Sequence, residues 1–143
     1  MGAWGTGPFD NDDAADFSAE LRDVADADEA NEVCSTAFHR VSTASYPETS
    51  EVSEAIVAAV VVAVAAGGDA DLLAAPYGPG TRASGLLAKW PAAQFGLLKA
   101  LASAALNRIS NPEGDNEWTE LWQESGNLDE AQAALEPIRA ALR

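Results

Sequence analysis

The stretch Ala55–Ala66, AIVAAVVVAVAA, constrains the fold more than any other part of the chain: it is twelve consecutive apolar residues. It falls short of the roughly 20 residues a helix needs to cross a bilayer, so the rest of the chain must cover it. A segment apolar on every side, rather than along one stripe, belongs at the centre of a core. Its Val and Ile content makes a buried strand the competing reading. Length and flanking signals decide for a helix. Ser45 followed by Glu48 has capping-box spacing, with Pro47 in the first turn, and Gly67-Gly68 supplies a stop. The predicted central helix covers about residues 47–66.

Spacings of three and four predict further helices around it. Ala14, Phe17, Leu21 and Val24 share a face between Asn11 and Ala25, with Asp10 or Asn11 as cap and Asp12 and Asp13 suited to the first turn. Ala30, Val33, Cys34, Ala37, Phe38 and Val41 line the next helix, Glu29 to Val41, preceded by a box-like Asp26 and Glu29. Gly68 to Gly85 reads as a loop, and a short helix before Trp90-Pro91 is allowed. Ala92 to Ile109 is helical, with Phe95, Leu98, Leu101, Ala102, Ala105 and Ile109 inward, and Asn111-Pro112 ends it. Trp118, Leu121 and Trp122 define a helix over 116–125 closed by Gly126. Leu128, Ala131, Leu135, Ile138 and Leu142 form a last stripe, which Pro137 must kink or divide. The expected fold is all-α: one domain, 1–143, a bundle of six or seven helices around the central apolar one.

A chain of 143 residues buries enough surface to fold without a disulfide or metal. Its formal net charge is −15, from 23 acidic and 8 basic side chains. Phosphate binding requires a basic surface, so nucleic acid is excluded as the expected partner. Anionic membrane surfaces are excluded on the same ground. The single cysteine, Cys34, has no partner for an internal disulfide, and the opening MGAWGTGPFD carries neither a charged leader nor an apolar run. The expectation is a cytoplasmic protein without a signal peptide. Charge is unevenly spread. Residues 72–112 hold four bases, Arg82, Lys89, Lys99 and Arg108, and no acid, whereas residues 1–71 hold fifteen acids and two bases. Either the basic stretch packs near the acidic parts and lowers repulsion, or the polarity serves recognition of a partner.

Candidate chemistry is sparse. Asp10, Asp12, Asp13 and Asp16 offer the oxygen ligands that Ca²⁺ or Mg²⁺ prefer. Yet helical spacing points Asp12, Asp13 and Asp16 in different directions, and no EF-hand pattern follows them. A capped, solvated helix start is the plainer reading. His39, the only histidine, shares a face with Asp28, Glu32, Ser35 and Thr36, opposite the apolar stripe, and is expected to be exposed. Cys34 points into that stripe as a core thiol. Zinc needs several Cys or His ligands, and the chain has one of each. Gly2, Gly5 and Gly7 form neither a P-loop nor a dinucleotide fingerprint. MGAWGT fits the loose myristoylation pattern without a polybasic second signal. Trp118 and Trp122 read as core residues. No cofactor and no catalytic set is expected.

The opening residues Gly2, Trp4, Gly5, Phe9, Asn11, Asp12, Ala14 and Phe17 are specific enough to compare. They resemble the start of a bacterial family catalogued as domain of unknown function 4259, which begins Gly-x-Trp-Gly, then Phe, Asn-Asp, Ala and an aromatic. Trp118 to Trp122, with Leu121, resembles that family's later Leu-Trp element. The resemblance implies a small, mostly helical protein and supplies no activity or catalytic residue. Trp4 and Phe9 suggest why the opening matters. A disordered tail gains nothing from two large apolar side chains, so residues 1–9 are expected to be ordered, with Trp4 inserted into the bundle. Phe9 is expected to act as a hydrophobic staple on the first helix. Function is read as non-enzymatic, exerted through a protein partner; the alternative is a hydrolase or metal-dependent enzyme using Asp12, Asp13 and perhaps His39.

Overall fold

The computed structural model describes residues 5, 7–111 and 115–143. The twelve-residue apolar run forms most of helix α3, Thr49–Ala65, and every side chain from Ala55 to Ala63 is buried. Around it lie α1 (Asp12–Arg22), α2 (Ala27–Thr43), a 3-10 turn (Ala70–Leu73), α4 (Arg82–Ala88) and α5 (Ala92–Ile109). The chain closes with α6 (Glu117–Ser125), α7 (Leu128–Ala133) and α8 (Glu136–Leu142). Helix α3 touches α1, α2, α4, α5, α6, α8 and the 3-10 turn, and α2 packs broadly on α5. No strand occurs among the described residues. A helix satisfies its backbone internally, so it can be wrapped on all sides, whereas a central strand would need neighbouring strands to complete its ladder. The fold is an all-α bundle.

The central helix stops where the two glycines predict. Gly67 has φ +107°, its N–H donates to Val64 O (3.0 Å), and the Gly68 N–H reaches Ala63 O (2.9 Å). These two bonds make a complete Schellman cap. A Cβ on Gly68 would lie 2.8 Å from Ala63 O and 3.0 Å from the Ala141 methyl, so α8 rests directly on this cap.

Its start differs from the prediction. Ser45 does not cap it; the N-cap is Glu48, whose N–H donates to Glu51 Oε1 (3.0 Å). Tertiary contacts hold residues 44–47 out of the helix. Arg108 Nη2 donates to the carbonyls of Ala44 (2.9 Å) and Ser45 (3.2 Å), and the Glu117 N–H donates to Pro47 O (3.0 Å). The Glu117 carboxylate then accepts from the Thr49 N–H (2.9 Å), so α3 and α6 begin by gripping one another.

Other boundaries follow the same logic. Asn11 caps α1 through Ala14 N (2.8 Å), and Asp26 caps α2 through Glu29 N (2.9 Å). Helix α1 ends at Arg22 rather than Ala25, though Val24 remains buried beyond it. The loop expected over residues 68–85 contains the 3-10 turn and the first residues of α4. Gly85 lies inside that helix because buried Ala83 and Leu87 anchor the segment. Pro137 divides the last stripe into α7 and α8, since it has no N–H to continue the ladder. Helix α5 has the predicted limits. Leu106 joins its inward face, while Phe95 and Leu101 are half-buried against the core.

Candidate functional site

The arginines are the least expected feature. Arg82 on α4 donates from Nε to Val24 O (2.6 Å) and from Nη2 to Ala25 O (2.9 Å), closing the turn between α1 and α2. Arg108 clamps the α2–α3 linker, as described above. Arg22 donates to Gly78 O in the loop before α4. Arg139 on α8 donates to Ser110 Oγ and to Asn107 Oδ1 (3.1 Å) at the end of α5. A planar guanidinium suits such forked contacts better than an ammonium. Two of the four cations of residues 72–112, Arg82 and Arg108, thus reach the acidic half of the chain, and there they bind its carbonyls rather than its carboxylates.

Carboxylates are correspondingly little paired. Ion pairs among the described residues include Arg40–Glu54 (3.4 Å), Arg108–Asp115 (3.3 Å) and Arg143–Glu136 (2.9 Å). Asp12, Asp13 and Asp16 on α1 and Asp28, Glu29 and Glu32 on α2 are exposed or half-exposed. Half-buried Glu54 lies where burial raises its pKa, Arg40 lowers it, and Glu20, Asp13 and Glu51 raise it further.

The predicted site residues separate in the structure. No cluster of three or more His, Cys, Asp or Glu suited to a metal occurs among the described residues. His39 is exposed on α2, as its helical position requires. Cys34 is fully buried, and burial pushes its thiol up to about 12. Trp118 is buried and Trp122 half-buried. Tyr46 Oη donates to Glu120 Oε2 (2.6 Å), and this bond to a carboxylate pushes the phenol up to about 12.

The opening motif has local structural reasons. Asn11 caps α1, and Phe9 and Phe17 belong to the buried core. With Asn11 as cap, Phe9 stands two residues before it and so misses the register of a hydrophobic staple. The Asp10 carboxylate turns back and accepts the Gly7 N–H (3.0 Å). A Cβ on Gly5 would lie 2.9 Å from Asp10 Oδ2, and one on Gly7 2.6 Å. Both positions therefore leave room for that carboxylate. Gly2 and Trp4, and with them the expected insertion of Trp4, lie outside the described residues.

Asn116 and Thr119 close the C-terminal end of α5. Asn116 Oδ1 caps α6 through Thr119 N (2.8 Å), and Thr119 Oγ1 donates to Ile109 O (3.2 Å). The arginine clamps left one faint trace in the sequence: Arg22, Arg108 and Arg139 each fall near a helix end, where cations favour exposed carbonyls. Which carbonyls they reach depends on tertiary packing.

A wrapped central helix, arginine-clamped turns and an acidic exterior define a small all-α bundle. The chain matches the family described as Domain of unknown function (DUF4259) over residues 2–134 and belongs to it. That match runs from the opening motif through α7 and ends before α8. No curated protein and no solved structure matches the chain. Among the described residues no helix is long and apolar enough to cross a membrane.

Proposed function

We propose that this chain is a non-enzymatic, cytoplasmic helical protein that acts through a protein partner, which its carboxylate surface recognises. One observation carries the reading. Arg22, Arg82, Arg108 and Arg139 are engaged with carbonyl, hydroxyl and amide oxygens inside the fold, while the acids of α1 and α2 stand at the surface. The partner this favours is a basic protein surface, reached by long-range attraction. Nucleic acid is disfavoured, since phosphates meet like charge. On this reading Gly2, Trp4, Gly5, Phe9, Asn11, Asp12, Phe17, Trp118 and Trp122 form a structural motif within one domain, 1–143, and the opening segment packs on the bundle. Capture with the full chain as bait, followed by mass spectrometry, tests the function. A protein partner released by moderate salt is expected. A reproducible metal or small-molecule passenger with no protein would overturn the reading and favour chemistry at Asp12, Asp13 and Asp16.

A further inference from the structure

Helices α5 and α8 meet along a cleft of about 200 Å³, lined by Ser103, Leu106, Asn107, Arg139, Leu142 and Arg143. Two of these six residues are bases and none is an acid, in a chain whose acids outnumber its bases 23 to 8. Helix α5 brings no carboxylate to it, since residues 72–112 hold no acid. The lining has two chemistries. Leu106 and Leu142 belong to the buried core and form an apolar side. Ser103 and Arg139 are half-buried, and Asn107 and Arg143 are exposed. Arg139 is oriented by the fold, donating to Ser110 Oγ and to Asn107 Oδ1 (3.1 Å). Both acceptors are neutral oxygens. They hold the guanidinium in place without cancelling its charge, and they engage two of its five N–H donors. Arg143 donates to Glu136 Oε1 (2.9 Å), with both side chains more than half exposed, so water competes for that pair and it contributes little.

We propose that this cleft binds a small organic carboxylate. A planar guanidinium matches a carboxylate through parallel N–H bonds. Arg139 supplies a fixed guanidinium, and Arg143, four residues on and so on the same face of α8, a second and more mobile one. Ser103 and Asn107 have the same spacing on α5. With Asn107 Oδ1 given to Arg139, its amide offers N–H groups, and the Ser103 hydroxyl offers another donor. Leu106 and Leu142 decide for an organic ligand, because covering apolar surface favours an alkyl group over a hydrated inorganic ion. Net charge decides for a carboxylate over a phosphate: a chain at −15 repels anions at long range, and a singly charged one least. Size limits the alkyl part. The cleft is smaller than the roughly 300–1,000 Å³ of sites for drug-sized ligands, so the ligand is a short-chain acid.

Titration of the isotope-labelled full chain with sodium butyrate at constant ionic strength, followed by NMR, tests this. Backbone signals of Ser103 and Asn107 and the Arg139 side-chain signal should shift and saturate in the millimolar range. Acetate, which lacks most of the alkyl part, should bind more weakly, and inorganic phosphate more weakly than butyrate. Arg139→Gln should weaken butyrate by about tenfold or more, the loss expected for a hydrogen bond to a charged group. Arg143→Gln should weaken it less, and Arg40→Gln, on α2, should leave it unchanged. Because Arg139 also ties α8 to the end of α5, Ser103→Glu provides a second variant that keeps this tie. It sets a carboxylate of the chain's own beside the arginines and should abolish butyrate binding while the spectrum stays that of a folded protein. Shifts that do not saturate overturn the proposal. So does a Ser103→Glu variant that binds butyrate as the wild type does, acetate binding as tightly as butyrate, or phosphate binding more tightly.

Discussion

Replacing Arg108 by methionine keeps much of the side chain's bulk and removes its guanidinium. In the folded protein that group donates to Ala44 O (2.9 Å) and Ser45 O (3.2 Å) and pairs with Asp115 (3.3 Å). Its side chain is only 22% exposed. A hydrogen bond to a charged group contributes about 1.5–3 kcal/mol, and an exposed ion pair about 0–1 kcal/mol. Two carbonyl acceptors at the edge of the core, discounted for partial solvent access, lead to a loss of about 2–3 kcal/mol for Arg108→Met. For a domain of this size each kcal/mol lowers the melting temperature by roughly 3–4 °C, so the expected drop is roughly 6–12 °C. Arg40→Met is the control. Arg40 pairs with Glu54 at 3.4 Å with 54% of its side chain exposed, and its loss should cost at most about 1 kcal/mol. Arg108→Lys should recover little, because an ammonium cannot reproduce the fork. Thermal melts in low and high salt read all three variants. The Arg108 deficit should persist in high salt, since its main acceptors are carbonyls. If Arg108→Met melts within a degree or two of Arg40→Met, the clamp does not hold the α2–α3 linker and the reasoning fails.

Three further outcomes are expected. Cys34, buried and pushed up to about 12, should resist iodoacetamide at pH 8 in the folded chain and react once guanidinium unfolds it; rapid labelling of the folded protein would contradict its placement. Trp4→Ala should cost about 3–5 kcal/mol if the opening segment inserts its indole into the bundle, and an unchanged melting midpoint would sink that expectation. The Thr49 N–H holds the Glu117 carboxyl below the usual range. A lowered folded-state pKa adds stability above the unfolded value, about 4.3, and that stability is lost as pH falls through the folded value. The gap in melting temperature between wild type and Glu117→Gln should therefore narrow on acidification from pH 7 to pH 3, and a constant or widening gap would show that Glu117 does not bind Thr49 as its carboxylate.

Much of the bundle was legible because hydrophobic period reports directly on burial. Ala55–Ala66 announced its central place by having no polar face, and Gly67-Gly68 announced its end. Cys34 and His39 could be assigned to core and solvent from their positions on one helix. What could not be read depends on partners distant in sequence. Ser45 and Glu48 had the right spacing for a cap, but Arg108 and Glu117 take the carbonyls of residues 44, 45 and 47 and move the helix start to Thr49. Phe9 is expected as a staple, but the choice of Asn11 over Asp10 as cap shifts the register by one, and the structure holds Phe9 in the core instead. By position Asp10 offers a cap or a ligand oxygen; in the structure it folds back onto Gly7, a contact that depends on the path of the loop before it. The candidate site was least legible of all, because a carboxylate surface is recognised by what its cations are doing elsewhere.

The most direct test of that unbalanced surface is the melting temperature of the full chain as NaCl rises from about 0.01 to about 0.1 M, which shortens the Debye length from about 30 to about 10 Å. If the arginines bind carbonyls and leave most of the carboxylates of a chain with net charge −15 without a cation beside them, screening relieves repulsion and the midpoint climbs steadily across this range. A flat or falling midpoint would mean that attractive pairs already balance the carboxylates. A saturating rise at sub-millimolar Ca²⁺ or Mg²⁺ in place of the gradual NaCl response would mean that a bound cation balances them, and either result would contradict the account.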